Sequence, residues 1–63
     1  MKANYVDKIT ELNRLMAEYG YSYREALLEV LYRLYSSVFS DDYLEKEFSS
    51  KSDEELFAVY MQW

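Results

Sequence analysis

The sequence contains no cysteine, no histidine and no proline, and Gly20 is its one glycine. Without Cys there is no disulfide to staple the chain and no thiolate to hold a metal. Without His the commonest metal ligand and the usual general base are both missing. Without Pro no position forbids a helix by its backbone alone. No apolar run approaches the ~20 residues that a membrane span needs; the uncharged run Leu34 to Ser40, for example, includes three serines. Met1 leads into polar and charged residues, so a secretory leader is not expected. The expectation is a cytoplasmic protein with no membrane association, and the lack of Cys fits a reducing compartment.

What is there is unusually apolar: 51% of the 63 residues are hydrophobic and 19% aromatic, with eight Tyr. A chain of this length is read as one domain, 1–63. Domains this small bury only about 60% of the surface exposed when unfolded. They need a very well packed core or a partner.

Charge is distributed unevenly. Lys2, Lys8 and Arg14 balance Asp7, Glu11 and Glu18 in the first third, and Arg24 and Arg33 balance Glu25 and Glu29 in the middle. In residues 40–63 only Lys46 and Lys51 stand against Asp41, Asp42, Glu45, Glu47, Asp53, Glu54 and Glu55, so the whole net charge of −5 lies there. Such a surface is either a solvated face or one that attracts a basic partner.

Serines punctuate the chain. Ser22 with Glu25, and Ser52 with Glu55, have the spacing of capping boxes, in which the hydroxyl accepts the N–H three residues on and the carboxylate reaches back. The run Ser40-Asp41-Asp42 offers a third helix start, with negative charge suited to a helix N-terminus. Four helical segments are therefore expected, at 4–19, 23–39, 41–49 and 53–62: an all-α bundle of three main helices plus one short connecting helix.

The first segment carries Tyr5, Ile9, Leu12, Met16 and Tyr19 on one stripe, the mark of an amphipathic helix. The second carries two stripes, Leu27-Leu31-Leu34-Val38 and Leu28-Tyr32-Tyr35-Phe39. A helix apolar over more than half its circumference must be covered by more than one neighbour, so this is the expected central helix. The third offers Leu44 and Phe48. The fourth offers Leu56, Val59, Tyr60 and Trp63, with Phe57 and Met61 beside them.

Gly20 stands where the first helix must stop. A left-handed residue, which glycine adopts without a side-chain clash, commonly follows a helix end, with Tyr21 falling back on Leu15 or Met16. Gly-Tyr-Ser between two helices also has the look of a helix-turn-helix. The helix that follows, however, has mostly core residues and only Arg24 and Arg33 as bases. A recognition helix needs exposed polar and basic side chains, and a chain of net −5 repels phosphate. Direct nucleic-acid binding is therefore the alternative and not the main reading.

Catalysis has little to work with. Ser49, Ser50, Lys51 and Ser52 bring hydroxyls and an amine together, but in a loop with no base and orienting group of the kind a nucleophile requires. A cleft of about 300 Å³, the lower size for ligand sites, is not expected in so short a chain. Asp41, Asp42 and Glu45 lack calcium-loop spacing and its glycine, and read as helix-dipole capping. No enzyme activity, cofactor or metal is expected.

The expected function is a non-enzymatic protein-interaction module, binding and inhibiting or regulating a protein partner with a basic, nucleic-acid-handling surface. Phage- or plasmid-type inhibitors and antitoxins are of this general kind, which is a likeness of class and not of motif. Candidate binding residues are Asp42, Glu45, Glu47, Asp53 and Glu54, with Tyr21 and Tyr23 flanking the turn and Tyr43 opening the third helix. Tyrosine suits such surfaces because it supplies large area at low entropy cost. A self-associating helical subunit, such as a homodimer, is a further alternative.

Overall fold

The computed structural model describes residues 5–62. They form four helices and no strand: α1 (Tyr5–Tyr19), α2 (Tyr23–Tyr35), α3 (Asp41–Ser49) and α4 (Asp53–Met61). Together they make a small helical bundle. None of these helices is long and apolar enough to cross a membrane.

Each helix after the first begins on a serine. Ser22 Oγ accepts from the Glu25 N–H at 3.1 Å while Glu25 Oε1 accepts from the Ser22 N–H at 2.8 Å. Ser52 and Glu55 repeat this arrangement at 3.2 and 2.9 Å. Ser40 Oγ accepts from the Tyr43 N–H at 3.3 Å, with Asp41 and Asp42 in the first turn of α3. These bonds satisfy N–H groups that have no partner within the helix. The first helix ends at Gly20, whose φ of +70° is left-handed, with its N–H bonded to the Met16 carbonyl at 3.1 Å. Tyr21 then packs against the core edge and stacks on Tyr19, ring centroids 5.4 Å apart.

The core is Leu12 and Leu15 from α1, Ala26, Leu27, Val30 and Leu31 from α2, Leu44 and Phe48 from α3, and Leu56 and Tyr60 from α4. α2 packs against each of the other three helices, as a helix with two apolar stripes must. Each fully buried leucine is worth roughly 1.5–3 kcal/mol of transfer free energy.

Two helices depart from the sequence pattern. α2 stops at Tyr35, not at residue 39. The N–H groups of Val38 and Phe39 both turn back to the Tyr35 carbonyl, at 2.9 and 3.0 Å. Ser36 and Ser37 favour such a stop, because hydroxyls compete for local backbone bonds. Val38 is consequently 64% exposed and Phe39 41%, so neither extends the core stripe, and Leu34 is only half-buried. In α1 the buried face is Lys8, Leu12 and Leu15. Tyr5 and Tyr19 of the expected stripe stay exposed and Ile9 and Met16 are only half-buried, so the buried face is turned toward Lys8 and Leu15. The expectations for residue 4 and Trp63 lie outside the described residues.

Lys8 is the one buried charged side chain among the described residues. Its Nζ donates to the Tyr60 carbonyl at 2.5 Å and lies 5.1 Å from the centre of the Tyr60 ring. Carbonyls in the last turn of a helix lack partners within it and carry partial negative charge. A lysine threaded from α1 to the end of α4 meets both needs.

Candidate protein-interaction site

The basic side chains spend most of their charge inside the fold. Arg14 pairs with Glu11 at 2.6 Å and Glu18 at 2.7 Å. Arg33 pairs with Glu29 at 3.1 Å and, more loosely, with Glu11 at 3.8 Å. Arg14's hydrogen bond is the main reason the Glu11 carboxyl is held below its ordinary range. Arg24 reaches from α2 to Asp53 at 2.9 Å and donates to the carbonyls of Phe48 and Ser49 at 3.4 and 3.1 Å. It thus ties the end of α3 and the start of α4 to α2. Lys51 pairs with Glu47 at 3.5 Å. Among the described residues, Asp41, Asp42, Glu45 and Glu54 have no ion pair.

Three of those four unpaired acids are on α3, and helix geometry decides where they face. Leu44 and Phe48 point into the core. Asp41 and Glu45 are four residues apart, hence neighbours on one flank, and Ser49 continues the row. This flank faces Leu28 and Tyr32 of α2 across an open groove of 470 Å³. The expectation that so short a chain leaves no cleft of this size is therefore corrected. α2 and α3 join at the corner made by residues 36–40, and the side chains between them leave this space open. Leu28 and Tyr32 form the floor, while Asp41 and Glu45 form the rim. Burial, and then the nearby Glu45 and Asp41 carboxylates, push the Tyr32 phenol above its ordinary pKa.

The opposite flank of α3 is aromatic. Tyr43 lies against Phe39 with ring centroids 4.7 Å apart. Phe39 stacks on Tyr35 at 6.1 Å, Tyr35 meets Phe48 edge-on at 5.8 Å, and Phe48 stacks on Tyr32 at 6.3 Å. A continuous series of rings therefore runs from the groove floor to an exposed patch of Val38, Phe39 and Tyr43.

The candidates named from the sequence fall into three places. Asp42, Glu45, Glu47 and Tyr43 are exposed on α3, with Glu47 partly neutralised by Lys51. Glu54 is exposed at the start of α4, but Asp53 is committed to Arg24 and does not stand free as an outward acid. Tyr21 and Tyr23 lie apart at the α1–α2 turn. Tyr23 joins Phe57 and, through it, Tyr5 in a second aromatic cluster, with centroids at 6.5 and 6.2 Å. Asp41, Leu28 and Tyr32 were not among the candidates. Asp41 read as a cap and the other two as core stripe. The spacing of Asp41 and Glu45 was visible, but the wall opposite them was not.

A smaller hollow of 190 Å³ lies among α1, α2 and α4, lined by Glu11, Val30, Arg33, Leu34 and Tyr60, and its charges already pair with each other. No group of three His, Cys, Asp or Glu among the described residues could hold a metal ion. No protein-family model matches the chain, and no curated protein or solved structure matches it significantly.

Proposed function

We propose that this protein is a non-enzymatic interaction module whose α3 surface binds a protein partner carrying a basic patch, and that it regulates or inhibits that partner by covering the patch. The observation that carries this reading is the internal charge pairing. Arginines pair with Glu11, Glu18, Glu29 and Asp53, while no ion pair among the described residues engages Asp41, Asp42 and Glu45 on α3, the helix that also carries the exposed Tyr43, or Glu54 at the start of α4. Exposed aromatic anchors on the same helix as uncommitted charge suit a protein interface, where rings supply affinity and charges supply steering. A basic surface of that kind commonly serves nucleic acid, so an inhibitor of the phage or plasmid type fits the same description.

The helix-turn-helix alternative is disfavoured by the same pairing. Arg14, Arg24 and Arg33 are all engaged with carboxylates, and α2 directs Ala26, Leu27, Val30 and Leu31 inward, which leaves few side chains for phosphates or base edges.

The test is capture of partners by the immobilised chain at low and high salt, with DNA as competitor. The captured partner's association rate is then measured against the variant Asp42→Asn, Glu45→Gln, Glu54→Gln. Glu47 is kept because Lys51 already occupies it. Slower association at low salt, with helix content unchanged, supports the reading. An unchanged low-salt rate would sink it.

A further inference from the structure

Resting on that reading, we propose that the groove between α2 and α3 is a receptor for a single arginine side chain presented by a basic segment of the partner. Its methylenes and guanidinium plane would lie on Leu28 and Tyr32, and its N–H fork would be held by Asp41 and Glu45.

Each part of the groove matches one part of that side chain. An arginine has an apolar stem, a planar cation that stacks on aromatic faces, and several donors in a fixed fork. The floor supplies an aliphatic side chain and a phenol ring, and the rim supplies two carboxylates one helical turn apart. Neither carboxylate has an ion-pair partner among the described residues, so the charge of the rim is uncompensated. Ser49 Oγ, at the far end, is turned to the Lys46 carbonyl at 3.4 Å. A lysine would place one compact, strongly hydrated charge there, without the planar fork that can reach both carboxylates.

The chain's own Arg24 shows the same chemistry lower on the same seam. Arg24, Leu28 and Tyr32 are spaced four apart on α2 and share one face. The Arg24 guanidinium already bridges from α2 to the last carbonyls of α3 and to Asp53. That end of the seam is electrically balanced. The upper end, at Leu28 and Tyr32, has the carboxylates without the cation.

The experiment is an amide NMR titration of the intact chain with a blocked Gly-Arg-Gly-Arg-Gly peptide and with its citrulline counterpart, which keeps the shape and loses the charge. The expected result is a saturable shift at Leu28, Tyr32, Asp41, Glu45 and Ser49 at millimolar peptide, none with citrulline, and a weaker one with lysine. The pair Asp41→Asn, Glu45→Gln should weaken binding about tenfold, as loss of close charge partners does. The pair Glu18→Gln, Glu29→Gln removes the same charge from α1 and α2, away from the groove and from the α3 surface, and should change it less than about twofold. The amide spectrum itself reports whether each variant is folded. Equal weakening by both pairs, shifts spread over all exposed acids, or no saturable shift would overturn the groove assignment. The wider acidic-face reading would still stand if the triple variant slowed the natural partner. Groove shifts that depend on protein concentration without peptide would make the occupant a second copy of the chain, and would likewise overturn the proposal.

Discussion

Lys8 and Tyr60 are 52 residues apart in sequence and grip each other twice. The ammonium donates to the Tyr60 carbonyl, and the Tyr60 hydroxyl reaches back toward the Lys8 carbonyl at 3.5 Å. The first bond is short and charge-assisted, and the second is at the limit of a hydrogen bond. Lys8→Met keeps the apolar stem and removes the donor. It should destabilise the fold by about 1–3 kcal/mol, the cost of stripping a buried polar group of its partner. Urea unfolding followed by circular dichroism measures this, and a midpoint equal to the parent's would show that the contact contributes nothing.

Leu31 is fully buried and Val38 is 64% exposed, although both fall on one apolar stripe of the sequence. Leu31→Ala should cost about 2–5 kcal/mol, close to the whole stability of a small domain. Val38→Ala should stay within about 0.5 kcal/mol. Thermal melts of the pair decide it, and comparable losses in both would mean that the helix continues past Tyr35.

Gly20 has a φ of +70° and open space where a Cβ would project. The cost of Gly20→Ala is therefore torsional alone, about 1–2 kcal/mol. Gly20→Asn should recover part of it, since Asn tolerates the left-handed region. A melting temperature raised by Gly20→Ala would mean that α1 and α2 run on as one helix.

Acid and alkali should each weaken the fold for an identifiable reason. Arg14's hydrogen bond holds Glu11, and the Ser52 N–H holds Glu55, below the ordinary carboxylate value of 4.5. Their contribution is full above that value and is lost as pH falls through the lowered folded values. Burial raises the phenols of Tyr23, Tyr32 and Tyr60 above the ordinary 10.0. Their contribution is full below 10.0 and is lost as pH rises through the raised folded values. Phenolate absorbance should therefore show a late class of tyrosines whose ionisation accompanies loss of helical signal. A single uniform titration with helices intact would contradict this.

The helix starts were legible because each is decided within four residues: Ser22 with Glu25, Ser52 with Glu55, and Ser40 with Tyr43. Gly20 was legible for the same reason, as was the central place of α2, whose two stripes required several neighbours. What could not be read depended on distant segments. The apolar pattern of α2 continues through Phe39, yet the backbone turns at Ser36 so that Phe39 can meet Tyr43 of the next helix. Lys8 looks like any surface charge until α4 lays its last carbonyls over it. The groove belongs to neither α2 nor α3 alone. Leu28 and Tyr32 were assigned to the core because nothing local shows that α3 leaves them partly uncovered.

That α2 touches every other helix has a consequence for how the molecule opens. The amides from Leu27 to Leu31 can meet solvent only when the whole bundle comes apart, so their hydrogen exchange should report global unfolding. The corner of residues 36–40 is exposed throughout and can yield by itself. Opening α3 there breaks the Leu44 and Phe48 packing and the Arg24 bonds to its last carbonyls but not the packing of α1 and α4 on α2, so its amides should exchange through a smaller, separate opening. A partner segment seated between α2 and α3 would close that opening, slowing exchange in α3 while leaving the slowest amides of α2 almost unchanged.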